Sequence, residues 1–188
     1  MCRPVSRALA LGSALALISI LAFTGAAAAQ GTTTTPTTDE SLGFRGFGAR
    51  IGLVDPEDAS STITFGLHLD LGEFVPNLRI TPLIEYWSAG AGGSDVSDLT
   101  IATNLDYSFP LVGPKVTPYA GGGLGIHRIK RDNPVTEYKN TRVGLHVQGG
   151  IRDEVMPNLS LFGELRFTFV DETDNWKLLG GFTYNFIY

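Results

Sequence analysis

Hydrophobic and polar residues alternate along most of this chain, from Phe44 to its last residue. Successive side chains of a β-strand point to opposite faces, so this alternation predicts strands rather than helices. Turn-forming residues divide the pattern into eight segments, and we predict one strand for each. The predicted strands are 46–54, 62–71, 78–88, 99–109, 117–130, 141–152, 159–170 and 176–188.

The last segment indicates what kind of sheet these strands build. One of its faces carries aromatic residues near both ends, from Trp176 to Tyr188. A strand of this length is long for a soluble sheet but matches the roughly 9 to 11 tilted residues that cross a bilayer. Amphipathic rings also favour the membrane–water interface. We therefore predict an all-β fold, an eight-stranded antiparallel up-and-down transmembrane β-barrel.

Polar or glycine-rich connections join the predicted strands. An even number of strands places both termini of the chain on the same side of the membrane, as in single-chain bacterial barrels. Pro82 interrupts the third strand, because proline cannot donate to a ladder and favours an edge or a bulge. We expect 72–77, 110–116 and 153–158 on the periplasmic side, and 55–60, 89–97, 131–140 and 171–175 outside.

The first residues indicate the compartment. Arg3 and Arg7 precede an apolar run over 8–23, and small residues follow as far as Ala29. This is the pattern of a secretory signal peptide, which we assign to 1–29. A retained anchor is the alternative, although the run is shorter than a spanning helix of ~20 residues. The threonine-rich stretch 30–43 is predicted to be a flexible tail, and 44–188 the outer-membrane β-barrel domain.

Composition narrows the classes of function. The chain has 14 Lys+Arg against 19 Asp+Glu, and the leader holds two of the basic residues. An acidic chain without a basic cluster is poorly suited to nucleic acid. Cys2 is the one cysteine and lies in the leader, so we expect neither a disulfide framework nor a thiolate site.

Charged residues fall on one face of the predicted strands. The opposite face carries almost no charge at mid-strand, where Arg or Lys facing lipid would cost about 2 to 4 kcal/mol. An eight-stranded barrel has an interior just filled by side chains, so ions inside must pair. We predict a structural network that plugs the lumen. Its residues are Arg50, His68, Asp70, Arg79, Glu85, Asp106, His127, His146, Arg152, Glu164 and Arg166.

A catalytic or proton-relay site is the alternative interpretation, since His68 and Asp70 share a face and His146 lies in the same barrel. No serine stands two residues from any histidine on its face, which argues against the His-x-Ser arrangement of outer-membrane lipid A deacylases. The three histidines also lack metal-ligand spacing. The glycine-rich stretch 121–125 lacks the Lys-Ser/Thr pair of a phosphate loop. We expect no catalytic, cofactor-binding or metal residues.

Aromatic residues form a second set. They are suited to stacking on a ligand, but membrane-interface girdles are the better interpretation. These residues are Tyr86, Tyr107, Phe109, Trp176, Tyr184 and Tyr188.

The chain resembles the small outer-membrane β-barrel family that includes OmpA-like transmembrane domains, OmpX-like proteins and opacity-type surface antigens. Three features carry the resemblance: the strand 118–125, the Pro-Asn-Leu turns, and the aromatic ending 184–188. Such an ending resembles the signal read by the barrel-assembly machinery. We expect no peptidoglycan-binding domain after the barrel, so the resemblance does not imply OmpA-type anchoring.

We predict a small integral barrel of the bacterial outer membrane with a plugged polar lumen and a structural, envelope-integrity or surface-interaction role without catalysis. The alternatives are a lipid-modifying enzyme or a narrow channel that uses the lumenal His, Asp and Arg residues. A soluble periplasmic barrel with inverted faces is a third. Expected partners are outer-membrane lipids or lipopolysaccharide and the barrel-assembly machinery. We expect a monomer that binds no cofactor and no nucleic acid.

Overall fold

The computed structural model describes residues 42–57, 59–91, 94–111, 116–132, 137–171 and 173–186. In this part of the chain no helix is long and apolar enough to cross a membrane. The strands are β1 (Gly46–Pro56), β2 (Thr62–Asp70), β3 (Glu73–Val75), β4 (Leu78–Ala91), β5 (Ser94–Ser108), β6 (Val116–Asp132), β7 (Glu137–Met156), β8 (Leu159–Val170) and β9 (Asn175–Asn185).

Eight of these strands close a barrel. Each pairs antiparallel with its neighbours in the order β2, β1, β9, β8, β7, β6, β5, β4, and β2 then pairs with β4 to complete the ring. We call the end at which Gly46 pairs with Asn185 the base, and the opposite end the rim. The predicted eight-stranded antiparallel barrel is confirmed. The expected leader 1–29 and almost all of the expected tail 30–43 lie outside the described residues.

One predicted turn contains a strand. The short β3 pairs with β4 outside the ring, within the residues predicted to turn between the second and third strands. Asn77 closes this hairpin with a positive φ of 66°, a conformation that asparagine tolerates better than most residues. The predicted turn at 72–77 therefore does reverse the chain between β2 and β4, but it includes a three-residue strand that was not predicted.

Pro82 lies within β4 and neither breaks it nor places it at an edge. The N–H of Ile80 donates to the carbonyl oxygen of Gly72, on the side of β4 that faces β2. The backbone nitrogen of Pro82, two positions further on, faces the same side. The β2–β4 ladder ends at the pair His68–Leu83. The missing N–H of Pro82 therefore falls just past the end of that ladder, while its pairing with Thr103 of β5 is kept.

At the rim, two hairpins extend further than predicted. The expected loop 89–97 is mostly strand, because β4 and β5 pair as far as Ala91 and Ser94. The expected loop 131–140 likewise contributes strand residues, with β6 and β7 pairing as far as Asp132 and Glu137. The outward face of these extensions carries polar residues such as Ser88, Ser97 and Arg128, so the sequence lacked the alternation expected of a lipid-facing strand.

Apolar side chains cover the outside of the ring. Val143 is 71% exposed and Leu124 63% exposed, while the alternate positions are mostly buried inside. This contradicts the inverted arrangement of a soluble barrel with an apolar interior. Toward the rim, the last apolar outward residues are Leu53, Ile63, Tyr86, Leu99, Ile126, Val143, Phe169 and Trp176. The next alternate residues are Asp55, Ser61, Ser88, Ser97, Arg128, Thr141, Asp171 and Asp174.

Candidate functional site

The lumen holds the residues predicted to face inward. Arg79 and Arg152, both near the base, are partly exposed. The other members are buried: Arg50, His68, Asp70, Glu85, Asp106, His127, His146, Glu164 and Arg166. The strand pleat places them there, since every second side chain of each strand points into the ring.

Arg166 is the centre of the network. Its guanidinium donates to Glu85 Oε2, to Glu164 Oε1 at 2.6 Å and, through Nε, to Gln148 Oε1 at 2.9 Å. Glu85 belongs to β4 and Arg166 to β8, which lie opposite each other in the ring of eight. This ion pair therefore crosses the lumen from wall to wall, and charge-assisted hydrogen bonds of this kind are the stronger ones in proteins.

Two further cations lie beside these carboxylates. Arg50 Nη1 is 3.6 Å from Glu164 Oε1, and Lys177 Nζ is 3.7 Å from Glu85 Oε1. Every side chain of this group is at most 3% exposed. We call Arg50, Glu85, Glu164, Arg166 and Lys177 the charge cluster. Buried ions of both signs are needed here, because an isolated buried charge carries a large desolvation cost.

A chain of amides extends the network toward the base. His146 Nε2 lies 2.6 Å from Asn104 Oδ1, and Asn104 Nδ2 donates to Gln148 Oε1 at 3.1 Å. Gln148 Nε2 in turn donates to Asp106. Gly123 lies beside His146, and a Cβ atom there would stand 2.5 Å from Nε2 of the ring. The glycine-rich strand thus makes room for the imidazole rather than for a phosphate.

Aromatic rings support the cations near the base. The guanidinium of Arg50 lies 5.3 Å from the ring centroid of Phe162, and that of Arg152 lies 5.1 Å from the ring centroid of Tyr119. Tyr119 also donates its hydroxyl to Glu164 Oε2 at 2.9 Å.

Three further residues of the predicted network, Arg79, Asp70 and His68, lie toward the base of the barrel. Arg79 is paired with Asp70, whose carboxylate also accepts from Gly72 N at 2.9 Å. His68 does not join Asp70 or His146 in a relay. Its Nε2 contacts Thr183 at 2.9 Å instead.

His127 forms the one imidazole–carboxylate pair among the described residues. Its Nδ1 lies 2.8 Å from Asp98 Oδ2, and Thr100 Oγ1 lies 3.0 Å from both atoms. In a catalytic triad the nucleophile and the carboxylate contact different ring nitrogens. Here both contact Nδ1, while Nε2 has no hydrogen-bond partner among the described residues. This geometry does not activate the hydroxyl of Thr100.

An apolar cluster fills the lumen toward the rim. It consists of buried Val54, Trp87, Ala89, Val96 and Ile129, with Ala59 packed against it. We call these residues the apolar cap. Trp87 and Ile129 are both 0% exposed, so the cap excludes water from that end of the lumen.

Sequence reasoning left several buried polar residues of the lumen out of the predicted network, among them Lys177, Asn104, Gln148 and Asp98. Lys177, Asn104 and Gln148 lie at inward positions of predicted strands, and alternation was the signal that could have included them. Asp98 precedes the predicted start of its strand, so no alternation marked it.

The aromatic residues form two levels on the outer surface. Tyr86 and Trp176 lie toward the rim, and Trp176 Nε1 donates to Asp55 Oδ2 at 3.0 Å. Tyr107, Phe109 and Tyr184 lie toward the base, where Tyr107 stacks edge-on against Phe109 with ring centroids 5.1 Å apart. Tyr188 lies outside the described residues.

A closed eight-stranded ring with an apolar exterior and an ion-paired interior defines the class of small outer-membrane β-barrels. The sequence profile of the outer membrane protein beta-barrel domain matches residues 15–186, so the chain belongs to this family and lies in the bacterial outer membrane. The expected resemblance is therefore confirmed. Comparison with curated proteins finds no match.

Solved structures with the same fold share little sequence with this chain. Neisserial surface protein A is 21% identical, with a TM-score of 0.64 over 75% of this chain and 96% of that one. The N-terminal β-barrel domain of Pseudomonas aeruginosa OprF is 14% identical, with a TM-score of 0.57 over 77% and 99%. Ail, the attachment invasion locus protein of Yersinia pestis, is 11% identical, with a TM-score of 0.54 over 78% and 100%. Such similarity establishes the fold alone.

Proposed function

We propose that this protein is a non-catalytic, non-conducting barrel with a structural role in the outer membrane, where it supports envelope integrity and presents its rim for surface interaction. The observation that carries this proposal is the double closure of the lumen. The charge cluster crosses the middle of the barrel, and the apolar cap fills the end toward the rim.

The charge cluster suits a structural role because it joins many strands. Arg166 and Glu164 come from β8, Glu85 from β4, Arg50 from β1 and Lys177 from β9. Each ion has an oppositely charged neighbour, so none is left to bind a transported ion. The barrel wall is thereby held at a fixed cross-section.

The surroundings of the barrel follow from its exterior. Apolar side chains face outward on every strand of the ring, which supports a monomer surrounded by lipid. The two levels of aromatic residues fit the two membrane interfaces. The aromatic residues of β9, Phe182 and Tyr184, support recognition by the barrel-assembly machinery. With its base in the periplasm, the rim faces outside.

The lumen's closure is tested by conductance. Purified protein in planar bilayers is expected to give no steady single-channel current. A Trp87→Ala variant, which removes the largest side chain of the apolar cap, is expected to give at most brief openings because Arg166 still closes the middle. Steady current from the wild-type protein would instead support the narrow channel.

A further inference from the structure

A groove of about 760 Å³ indents the outer surface of the barrel below the β8–β9 turn. Outward apolar side chains of β6, β7 and β8 line its lower part, and we call them the groove floor: Leu124, Val143, Leu145 and Phe169. Carboxylates of the β1–β2 connection and the β8–β9 turn line its upper part, and we call them the acidic end: Glu57, Asp171 and Asp174.

The groove results from unequal strand lengths. β7 begins at Glu137, seven residues before Gly144, whereas its neighbour β8 ends at Val170, the partner of Gly144. The turn that follows β8 is tight, because Thr173 N donates to the Val170 carbonyl at 3.1 Å and Val170 N donates to Asp174 Oδ1 at 3.0 Å. β7 therefore rises beside a low turn, and the groove lies at this step.

The acidic end carries negative charge without a counter-ion. Its three side chains are exposed, and no described residue forms an ion pair with any of them. Glu57 N donates to the Asp174 carbonyl at 3.0 Å, which holds the β1–β2 connection beside the turn. None of the described residues that line the groove is basic, and Lys139, further along β7, has a partner of its own. Carboxylates gathered in this way attract cations.

The groove lies at the border between lipid and water. Val143 and Phe169 are the last apolar outward residues of their strands toward the rim, and the next outward residues are Thr141 and Asp171. An amphipathic helix rich in Lys and Arg occupies this level of a membrane, with its apolar face toward the acyl chains and its charges in the water. The floor and the acidic end follow the same order.

We propose that the groove binds a basic amphipathic peptide that reaches the protein from outside the cell. Apolar side chains of the peptide lie on the groove floor, and its Lys or Arg residues pair with the acidic end. A volume of this size holds a few side chains, so the groove takes one face of the peptide. The proposal deepens the proposed surface interaction and rests on it, since the rim must face outside.

The test uses the whole protein in nanodiscs of zwitterionic phosphatidylcholine, with empty nanodiscs as the reference. The probe is a fluorescent helix of leucine and lysine, about 18 residues long, with its leucines on one face. Fluorescence anisotropy measures its affinity, and a scrambled peptide of the same composition is its matched control. We expect the wild type to bind the amphipathic peptide and to bind the scrambled one much more weakly.

The acidic end is tested with the triple variant Glu57→Gln, Asp171→Asn, Asp174→Asn. An exposed ion pair contributes up to roughly fivefold in affinity, so we expect this variant to bind about 10- to 100-fold more weakly. Asparagine at position 174 keeps an oxygen that accepts from Val170 N. The control variant Glu73→Gln, Asp153→Asn, Glu154→Gln removes the same charge at the base and should bind like the wild type.

Three results would overturn the proposal. Unchanged affinity of the first triple variant would exclude the acidic end, and equal affinity for the scrambled peptide would exclude the groove floor. Displacement of the peptide by magnesium, but not by sodium at the same ionic strength, would identify a divalent-cation site instead. Surface labelling of Ser60→Cys in intact cells tests the orientation separately, so failure of the groove and failure of the proposed function are distinguishable.

Discussion

At the scale of single residues, Arg166 has the largest structural consequence. It is 2% exposed and binds two carboxylates and one amide, so its removal would leave Glu85 and Glu164 buried with weaker partners. Lys177 is equally buried, but it approaches a single carboxylate at 3.7 Å. The two cations therefore occupy the same lumen with very different numbers of close contacts.

We expect Arg166→Met to lower the free energy of unfolding by about 3 to 5 kcal/mol, the usual effect of breaking a buried ion pair. Lys177→Met is the matched control and should cost less than half as much, because Arg166 still binds Glu85. Urea unfolding in lipid vesicles measures both. Equal losses would show that the cluster acts through its total charge rather than through hydrogen bonds of Arg166.

Residue positions in the lumen were predictable only in part. Alternation assigns a face to Arg50, Glu85 and Arg166, because lipid excludes charge from the other face. It does not say which of them touch. The pairing of Glu85 with Arg166 depends on the closure of the ring, which places β4 opposite β8, and no local pattern encodes that distance.

At the scale of strands, glycine on one strand accommodates a large side chain on the next. A Cβ atom at Gly123 of β6 would clash with the Thr103 carbonyl oxygen of β5 and with the imidazole of His146 on β7. At Gly163 of β8 a Cβ atom would meet nothing within 4 Å. The two glycines lie in similar strands but differ completely in available space.

Gly123→Val should therefore destabilise the barrel by about 1 to 3 kcal/mol, the usual cost of overpacking. Gly163→Val is the control and should change stability by less than about 0.5 kcal/mol. The temperature at which the folded form is lost from unheated gel samples reports both. A similar loss for the two variants would mean that strand glycines matter here for backbone freedom rather than for space.

Strand ends were less predictable than strand centres for a physical reason. Within the bilayer, lipid imposes alternation, and all eight spanning segments were found. Past Trp87 and Leu99 the outward face carries polar or small residues instead of apolar ones, so the polar and glycine-rich 89–97 resembles a loop although most of it pairs. Pro82 led to the opposite error: it predicted an interrupted strand, although β4 is continuous. The effect of a proline depends on which neighbouring strand its nitrogen faces.

At the scale of the whole molecule, the barrel has two different sides at the rim. Hairpins β4–β5 and β6–β7 extend past the remaining strands, whereas the outward face of the β1, β8 and β9 side ends in the acidic residues Asp55, Asp171 and Asp174. This asymmetry matters only if the rim faces outside.

We expect the cysteine of Ser60→Cys, near the rim, to react with a membrane-impermeant maleimide in intact cells. Val75→Cys, exposed at the base, should react only after the outer membrane is permeabilised. The one native cysteine lies in the expected leader, so labelling reports the introduced residue. Labelling of Val75→Cys alone in intact cells would reverse the orientation.

The contact between Glu85 and Arg166 also constrains how the protein assembles. The two residues are 81 positions apart and belong to opposite walls, so neither can reach the other until the first and last strands have met. Until that moment both ions need water. We therefore expect the interior to stay hydrated until the ring closes, because Glu85 would otherwise be buried without Arg166.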